Sequence, residues 1–410
     1  MTIAALDPAQ IAAAVRTTLD AWDVDGRRVV VLVPDKTRTC PLDLVFPLVR
    51  DALAPRVAAL KVVIALGTHE PLDLHAARAH LGLHAPSPHD AKLLVVNHAW
   101  RDPSALVEIA RLTAREVEAI SEGRLSLDVP LTINRAVADA ERVLILGPVF
   151  PHEVAGYSGG NKYLFPGVSG KPIIDFFHWL GALITNRAII GRKHTPVRAV
   201  LDRAASHVQA DKRALCMVVR PQDKALVGIF GGTPEHAWSC AADLSAQVHV
   251  RWCDRVFHTV LSRCPPMYPD LWTGGKCMYK LEPVVADGGE LIILAPHIRE
   301  VSRVHGQVLE RVGYHVRDWF VTQWERFRQE PWGVLAHSTH VKGDGTFVDG
   351  VERPRIKVTL ATGIPRATCE RIALGWRDPA SIDAKDFVDR ESEGVLYVQQ
   401  AGETLHRLRD

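Results

Sequence analysis

The segment "HEVAGYSGGNKYLFPGVSG", His152 to Gly170, opens on a histidine and carries five glycines and one lysine, Lys162. A second histidine, His178, follows in "IIDFFHWLGALI". Upstream, "PDKTRTCP" supplies Asp35 and Arg38, and "ALGTHEP" supplies His69. Imidazoles near neutral pKa suit proton transfer. An amine on a glycine turn suits either anion binding or covalent attachment. A P-loop needs a glycine before its lysine and a hydroxyl after it. Here Asn161 precedes Lys162 and Tyr163 follows, so that reading fails. The G-x-G-x-x-G fingerprint is absent from the segment, and neither "THEPLDLH" nor "PHEVAG" has the H-E-x-x-H spacing of a metalloprotease. Two readings of the turn stay open on the residues alone: exposed amides and a lysine around an anion, or a tight structural turn with a solvated lysine.

The surrounding pattern must place these groups. "RVVVLVPD" (28–35), "LKVVIALGTH" (60–69), "KLLVVNH" (92–98) and "RVLILGPV" (142–149) are short apolar runs separated by helical patterns. That alternation predicts βαβ units and a largely parallel sheet. In such sheets ligands sit beyond the carboxyl ends of the strands. The strand ends here are polar: Asp35 to Arg38, Gly67-Thr68-His69-Glu70, and Asn97-His98. His98 itself reads as a structural residue. Three prolines in "SRCPPMYPD" (262–270) interrupt the pattern, and a second α/β series follows with "ELIILAP", "RIKVTLATG" and "GVLYVQQ" as strands and "GGKCMYKLEPVVADGG" as a helix. The expected organisation is two α/β domains, 1–265 and 266–410, with largely parallel sheets and the active site in the interdomain cleft.

Composition narrows the partners. A chain of 410 residues is long for one core. A net charge of +2 gives no field for nucleic acid or an anionic membrane. Seven scattered cysteines without a C-x-x-C pair argue against a disulfide framework or zinc ribbon and fit a reducing cytoplasm. "MTIAALDPAQIAAAV" does not read as a signal peptide, and no run of eighteen apolar residues predicts a membrane span.

With "PDKTRTCP", "ALGTHEP" and "PHEVAGYSGGNKYLFPGVSG…FFH" in this order, the sequence resembles the lactate racemase family of nickel-pincer nucleotide enzymes, which racemise or epimerise 2-hydroxy acids. The resemblance is strongest over roughly residues 30–180. It implies that Lys162 carries the cofactor, pyridinium-3-thioamide-5-thiocarboxylic acid mononucleotide with nickel, through a thioamide. It implies His178 as the protein ligand of nickel, and His69 and His152 as paired catalytic bases. Asp35 and Arg38 fall near the cofactor, and Ser158, Gly159 and Gly160 in the turn lining the nucleotide. A 2-hydroxy acid and the enzymes that make the cofactor are the implied partners. Transient oxidation to a 2-oxo acid avoids a carbanion beside a carboxylate, and two bases on opposite sides serve the two enantiomers. One histidine suffices as metal ligand only because the pincer supplies the other donors.

Beyond residue 265 the match is looser. Tyr268-Pro269 is present, and Lys276 or Lys280 is expected to grip the substrate carboxylate. Glu70 departs from the His-Arg usual in its motif, which puts lactate itself in doubt. His297, His305 and "AHSTHVKG" (336–343), with Trp272 and Trp376 as walls, suit a larger polyhydroxylated acid of the sugar-acid type. The rival readings are a kinase or dehydrogenase using the turn for ordinary nucleotides, and a non-catalytic nickel, cofactor or hydroxy-acid carrier.

Overall fold

The computed structural model describes residues 3–67 and 69–409, so Thr68 of the polar strand end lies outside the described residues. The chain divides into two compact units. One gathers Met1–Phe150, Tyr157–Ile174 and Lys193–Val248; the other gathers Pro151–Gly156, Asp175–Arg192 and His249–Asp410. The two units thus alternate along the chain. Two short excursions, 151–156 and 175–192, belong with the C-terminal part, and the final return comes at His249. His152 and His178 consequently sit in the second unit, while Asp35, Arg38, His69 and Lys162 sit in the first.

The first unit is built on six strands: β1 (Arg28–Pro34), β2 (Ala59–Ala65), β3 (Leu93–Asn97), β4 (Arg142–Pro148), β5 (Asp211–Val219) and β6 (Leu226–Gly232), in the order β6-β5-β4-β1-β2-β3. All neighbours are parallel except the edge pair β5 and β6. The apolar runs of the sequence are explained by burial on both faces, as parallel sheets demand. Val29, Val31 and Val33 of β1 pack in one cluster with Ile11, Val15 and Leu19 of α1 (Pro8–Leu19) and with Val45, Phe46 and Val49 of α2 (Leu42–Leu53). Val30 and Leu32, pointing the other way, are buried as well. Helix α1 starts where Asp7 accepts from the Gln10 amide at 2.8 Å and the Gln10 side chain answers on the Asp7 amide, with Pro8 in the first turn.

The second unit holds a five-stranded sheet in which every pairing is parallel: β7 (Phe257–Arg263), β8 (Val285–Ala295), β9 (Lys357–Thr362), β10 (Gly375–Trp376) and β11 (Val395–Val398), ordered β10-β9-β8-β7-β11. The helix expected over "GGKCMYKLEPVVADGG" is only a set of short turns, and Val285 already starts β8. The β-branched pair Val284-Val285 and the Gly288-Gly289 step favour an irregular extended chain there over a helix. Among the described residues no helix is long and apolar enough to cross a membrane.

Two buried histidines are structural. His98 donates from Nε2 to the Ser169 carbonyl at 3.0 Å and takes the Asn134 amide on Nδ1 at 3.1 Å. His406, in the second unit, is pushed down to about 4 chiefly by burial. A histidine whose folded pKa is depressed stabilises the fold fully above the unfolded value near 6.5, and that contribution is lost as pH falls through the folded value. The loss amounts to about 1.4 kcal/mol per unit of pKa difference. Thermal unfolding followed at successive pH values should show the midpoint falling between pH 6.5 and about 4, with a shallower fall in His406→Gln. Phe46→Ala, at a fully buried position, should cost about 3–5 kcal/mol in urea unfolding.

Candidate functional site

Strand β1 delivers Asp35 directly beyond Pro34, and β2, in register through Pro34 and Ala65, delivers His69 just past its own end. The Asp35 carboxylate is 5% exposed. One oxygen lies 2.5 Å from His69 Nδ1; the other accepts from the Thr37 amide at 2.9 Å and the Thr37 hydroxyl at 2.7 Å. Burial, the largest single influence, opposes ionisation, but His69, Arg38 and Thr37 together outweigh it and hold the carboxyl below its ordinary range. Arg38 lies over the Phe150 ring at 5.6 Å and acts on Asp35 through its charge. An ionised Asp35 keeps the Nδ1 proton on His69, so neutral His69 presents a bare Nε2 as a base.

Lys162 lies half-buried in a tight turn, Gly160–Tyr163. The turn is tied down on several sides. Gly167 donates to the Lys162 carbonyl at 3.0 Å and accepts from the Gly67 amide at 3.0 Å, which links this turn to the loop carrying His69. Beneath it the buried Arg198 donates to the carbonyls of Tyr157 at 2.5 Å and Gly159 at 3.4 Å and stacks on Trp238 at 4.1 Å. Asn161 donates to Asp202 at 2.9 Å and Glu235 at 2.7 Å. Ser158 bridges Phe150 N and the Pro148 carbonyl through its hydroxyl.

Gly159 and Gly160 do have the positive φ that glycine favours, 81° and 58°. The space beside them, however, is already filled by protein. A Cβ on Gly159 would meet Val149 at 2.6 Å, and one on Gly160 would meet Trp238 at 2.9 Å. Close packing of the turn onto the sheet therefore explains these glycines by itself.

In the second unit, His152 is 5% exposed and its Nδ1 accepts from the amides of Val154 at 3.1 Å and Ala155 at 3.4 Å. That pattern assigns the proton of neutral His152 to Nε2, the reverse of His69. Glu153 Oε2 lies 3.5 Å from the same Nδ1. His178 is half-buried on α3 (Lys171–Ile184), edge-on to Phe177 at 5.0 Å. No group of three or more His, Cys, Asp or Glu side chains among the described residues is arranged to hold a metal.

His337 stacks on Trp272 at 4.1 Å and donates from Nε2 to the Trp272 carbonyl at 2.9 Å, while His305 lies 4.3 Å from the same indole. Burial first, and then the charges of His340, His305 and His178, hold His337 well below its usual range. His340 is pushed down to about 4, mainly by burial. Of the other expected contacts, His297 bonds the Tyr268 carbonyl at 3.1 Å and Lys276 lies over the Tyr268 ring at 4.7 Å. Lys280 is buried and donates to the Glu403 carbonyl at 2.9 Å, which commits it to the fold. Trp376 stands on the short edge strand β10 with Arg366 at 5.9 Å. Arg198 was not foreseen: one arginine in "HTPVRAVLDRAA" gives no sign in the sequence that it reaches the glycine turn.

Largely parallel sheets flanked by helices define the class, an α/β protein with ionisable groups beyond the carboxyl ends of β1 and β2. Residues 9–191 match the family model described as the lactate racemase N-terminal domain. The lactate racemases of Lactiplantibacillus plantarum and Thermoanaerobacterium thermosaccharolyticum are 24% and 25% identical to it over 274 and 284 residues. Those stretches cover 65% and 66% of this chain but only 59% and 60% of the relatives, less than two thirds of their length. A crystal structure of a Thermotoga maritima protein superposes with a TM-score of 0.88 at 28% identity, covering 98% of this chain and 99% of that one. The lactate racemase apoprotein of T. thermosaccharolyticum shares the fold, with a TM-score of 0.73 at 18% identity over 98% and 93%.

Arg198 gives the turn a direct test. Arg198→Met leaves two buried carbonyls and Asp202 without their cation, so it should cost about 2–4 kcal/mol. Hydrogen exchange should rise in residues 157–163 before it rises elsewhere, whereas Arg203→Met, at an exposed pair with Glu116, should change little.

Proposed function

We propose that this protein inverts the C2 configuration of a 2-hydroxy acid, lactate-like or of the sugar-acid type. In this reading a nickel-pincer nucleotide is held by Lys162 and His178. The observation that carries the reading is the pair of histidines with opposite proton placement, His69 backed by Asp35 and His152 backed by backbone amides. The match of residues 9–191 to the lactate racemase N-terminal domain and the similarity to two lactate racemases support it.

When bound, the cofactor supplies a reversible acceptor for the substrate's α-hydrogen. His69 Nε2 takes the hydroxyl proton, and the ionised Asp35 stabilises the resulting imidazolium without accepting its proton. His152 holds its proton on Nε2, ready to donate a hydrogen bond to the substrate oxygen. To act as a base in its turn, His152 must carry its proton on Nδ1 and release the amides of Val154 and Ala155; Glu153, 3.5 Å away, is the acceptor at hand for that proton. Lys276 is the better candidate than Lys280 for the substrate carboxylate, because Lys280 is buried on a carbonyl.

The protein should be produced together with the cofactor-making enzymes and weighed intact. A mass increment that is absent in Lys162→Ala, and bound nickel that is lost in His178→Ala, are the expected results. A panel of 2-hydroxy acids followed by chiral chromatography then reads the activity. His69→Asn and Asp35→Asn should lower turnover roughly a hundredfold to ten-thousandfold while keeping the mass increment. An unmodified chain, or a loaded chain that changes no stereocentre in the panel, would sink the proposal.

A further inference from the structure

The first unit has a second feature that the proposed reaction does not use. A cavity of about 370 Å³ opens between the C-terminal part of α1, strands β5 and β6, and the first turns of α4 (Pro234–His249). Its one permanent charge is Arg213. This arginine stands on β5 level with Leu144 of β4, which is level with Val31 of β1, well short of Asp35 at that strand's end. Along β5 it alternates with the same face as Leu215 and Met217, which pack in the α1 cluster. The cavity is thus separate from the Asp35–His69 pair.

Arg213 is half-buried on β5. Its Nε is shielded from solvent and has no hydrogen-bond partner, and among the described residues no carboxylate pairs with its guanidinium. The nearest acid in sequence, Asp211, is engaged elsewhere, accepting from Trp22 Nε1 at 2.6 Å and lying 3.9 Å from Arg142. A half-buried cation without an acceptor is costly unless an anion supplies one. The remaining lining fits an anion with an apolar body. Trp22, Ile229 and Phe230 form the wall, Thr17 offers a hydroxyl, and His236 lies on the first turn of α4.

We infer that this cavity binds a small organic carboxylate, its carboxylate gripped by Arg213 and its ring-sized apolar body laid against Trp22, Ile229 and Phe230. The forked guanidinium matches a carboxylate in two parallel hydrogen bonds. The predominantly apolar wall disfavours a fully hydrated ion such as inorganic phosphate, which asks for donors on several sides. The inference does not depend on the proposed racemase reaction.

Benzoate is the probe, with benzamide as its neutral isostere and inorganic phosphate as the bare anion. Saturation-transfer NMR and calorimetry on the full chain should show saturable benzoate binding. Benzamide and phosphate should each bind at least about tenfold more weakly, the scale of one lost charge-assisted pair. Arg213→Met should abolish that preference for benzoate, Arg213→Lys should keep part of it, and His69→Asn should leave it unchanged. Binding of benzoate and benzamide by the wild-type chain with equal strength would overturn the inference even if the variants failed to fold. So would undiminished binding in a folded Arg213→Met, phosphate binding as tight as benzoate, or loss in His69→Asn alone.

Discussion

A buried carboxylate has to be charged and bonded, or neutral, and Asp35 has been made charged. Two contacts from Thr37, the imidazole of His69 and the nearby charge of Arg38 together overcome the cost of burial. The constraint sets much else. It requires β1 and β2 to be neighbours with ends in register, so that consecutive strand-end loops face each other. It fixes which nitrogen of His69 carries the proton. It also fixes the loop after β2, which Gly67 anchors to the segment that follows Lys162.

The lysine turn follows the same economy with a cation. Arg198 is buried beneath the turn and gives its protons to main-chain carbonyls, while Asp202 and Glu235 bracket it and receive Asn161. Burial lowers its pKa to about 10, still far above neutrality, so the group stays charged under ordinary conditions. A charged post under a glycine turn makes the turn a rigid platform, and a half-buried amine upon it has a defined position.

The sequence made the first unit legible because parallel strands buried on both faces leave uninterrupted β-branched runs, and "RVVVLVPD" and "LKVVIALGTH" are such runs. Polar residues follow those runs, and the fold brings two of them, Asp35 and His69, into contact. The glycines were harder to read. On Gly159 and Gly160 the side that a Cβ would occupy is taken by Val149 and by Trp238, and Trp238 lies far along the chain. Arg198 and Lys280 show the same limit: their roles depend on partners brought in by the fold, Tyr157 and Glu403, which no local spacing reveals. The division of the chain is hard to read from sequence for a related reason. Prolines near residue 265 interrupt the local pattern, whereas membership of a compact unit is decided by contacts remote in sequence.

That division also bears on how the protein is made. The chain passes from one unit to the other between residues 150 and 151, 156 and 157, 174 and 175, 192 and 193, and 248 and 249. A ribosome therefore emits the segments holding His152 and His178 long before residues 249–410, with which they pack, exist. Until the C-terminal part emerges, the apolar side of α3 around Phe176, Phe177 and Trp179 lacks its eventual cover within that unit. No single cleavage of the chain separates the two units intact.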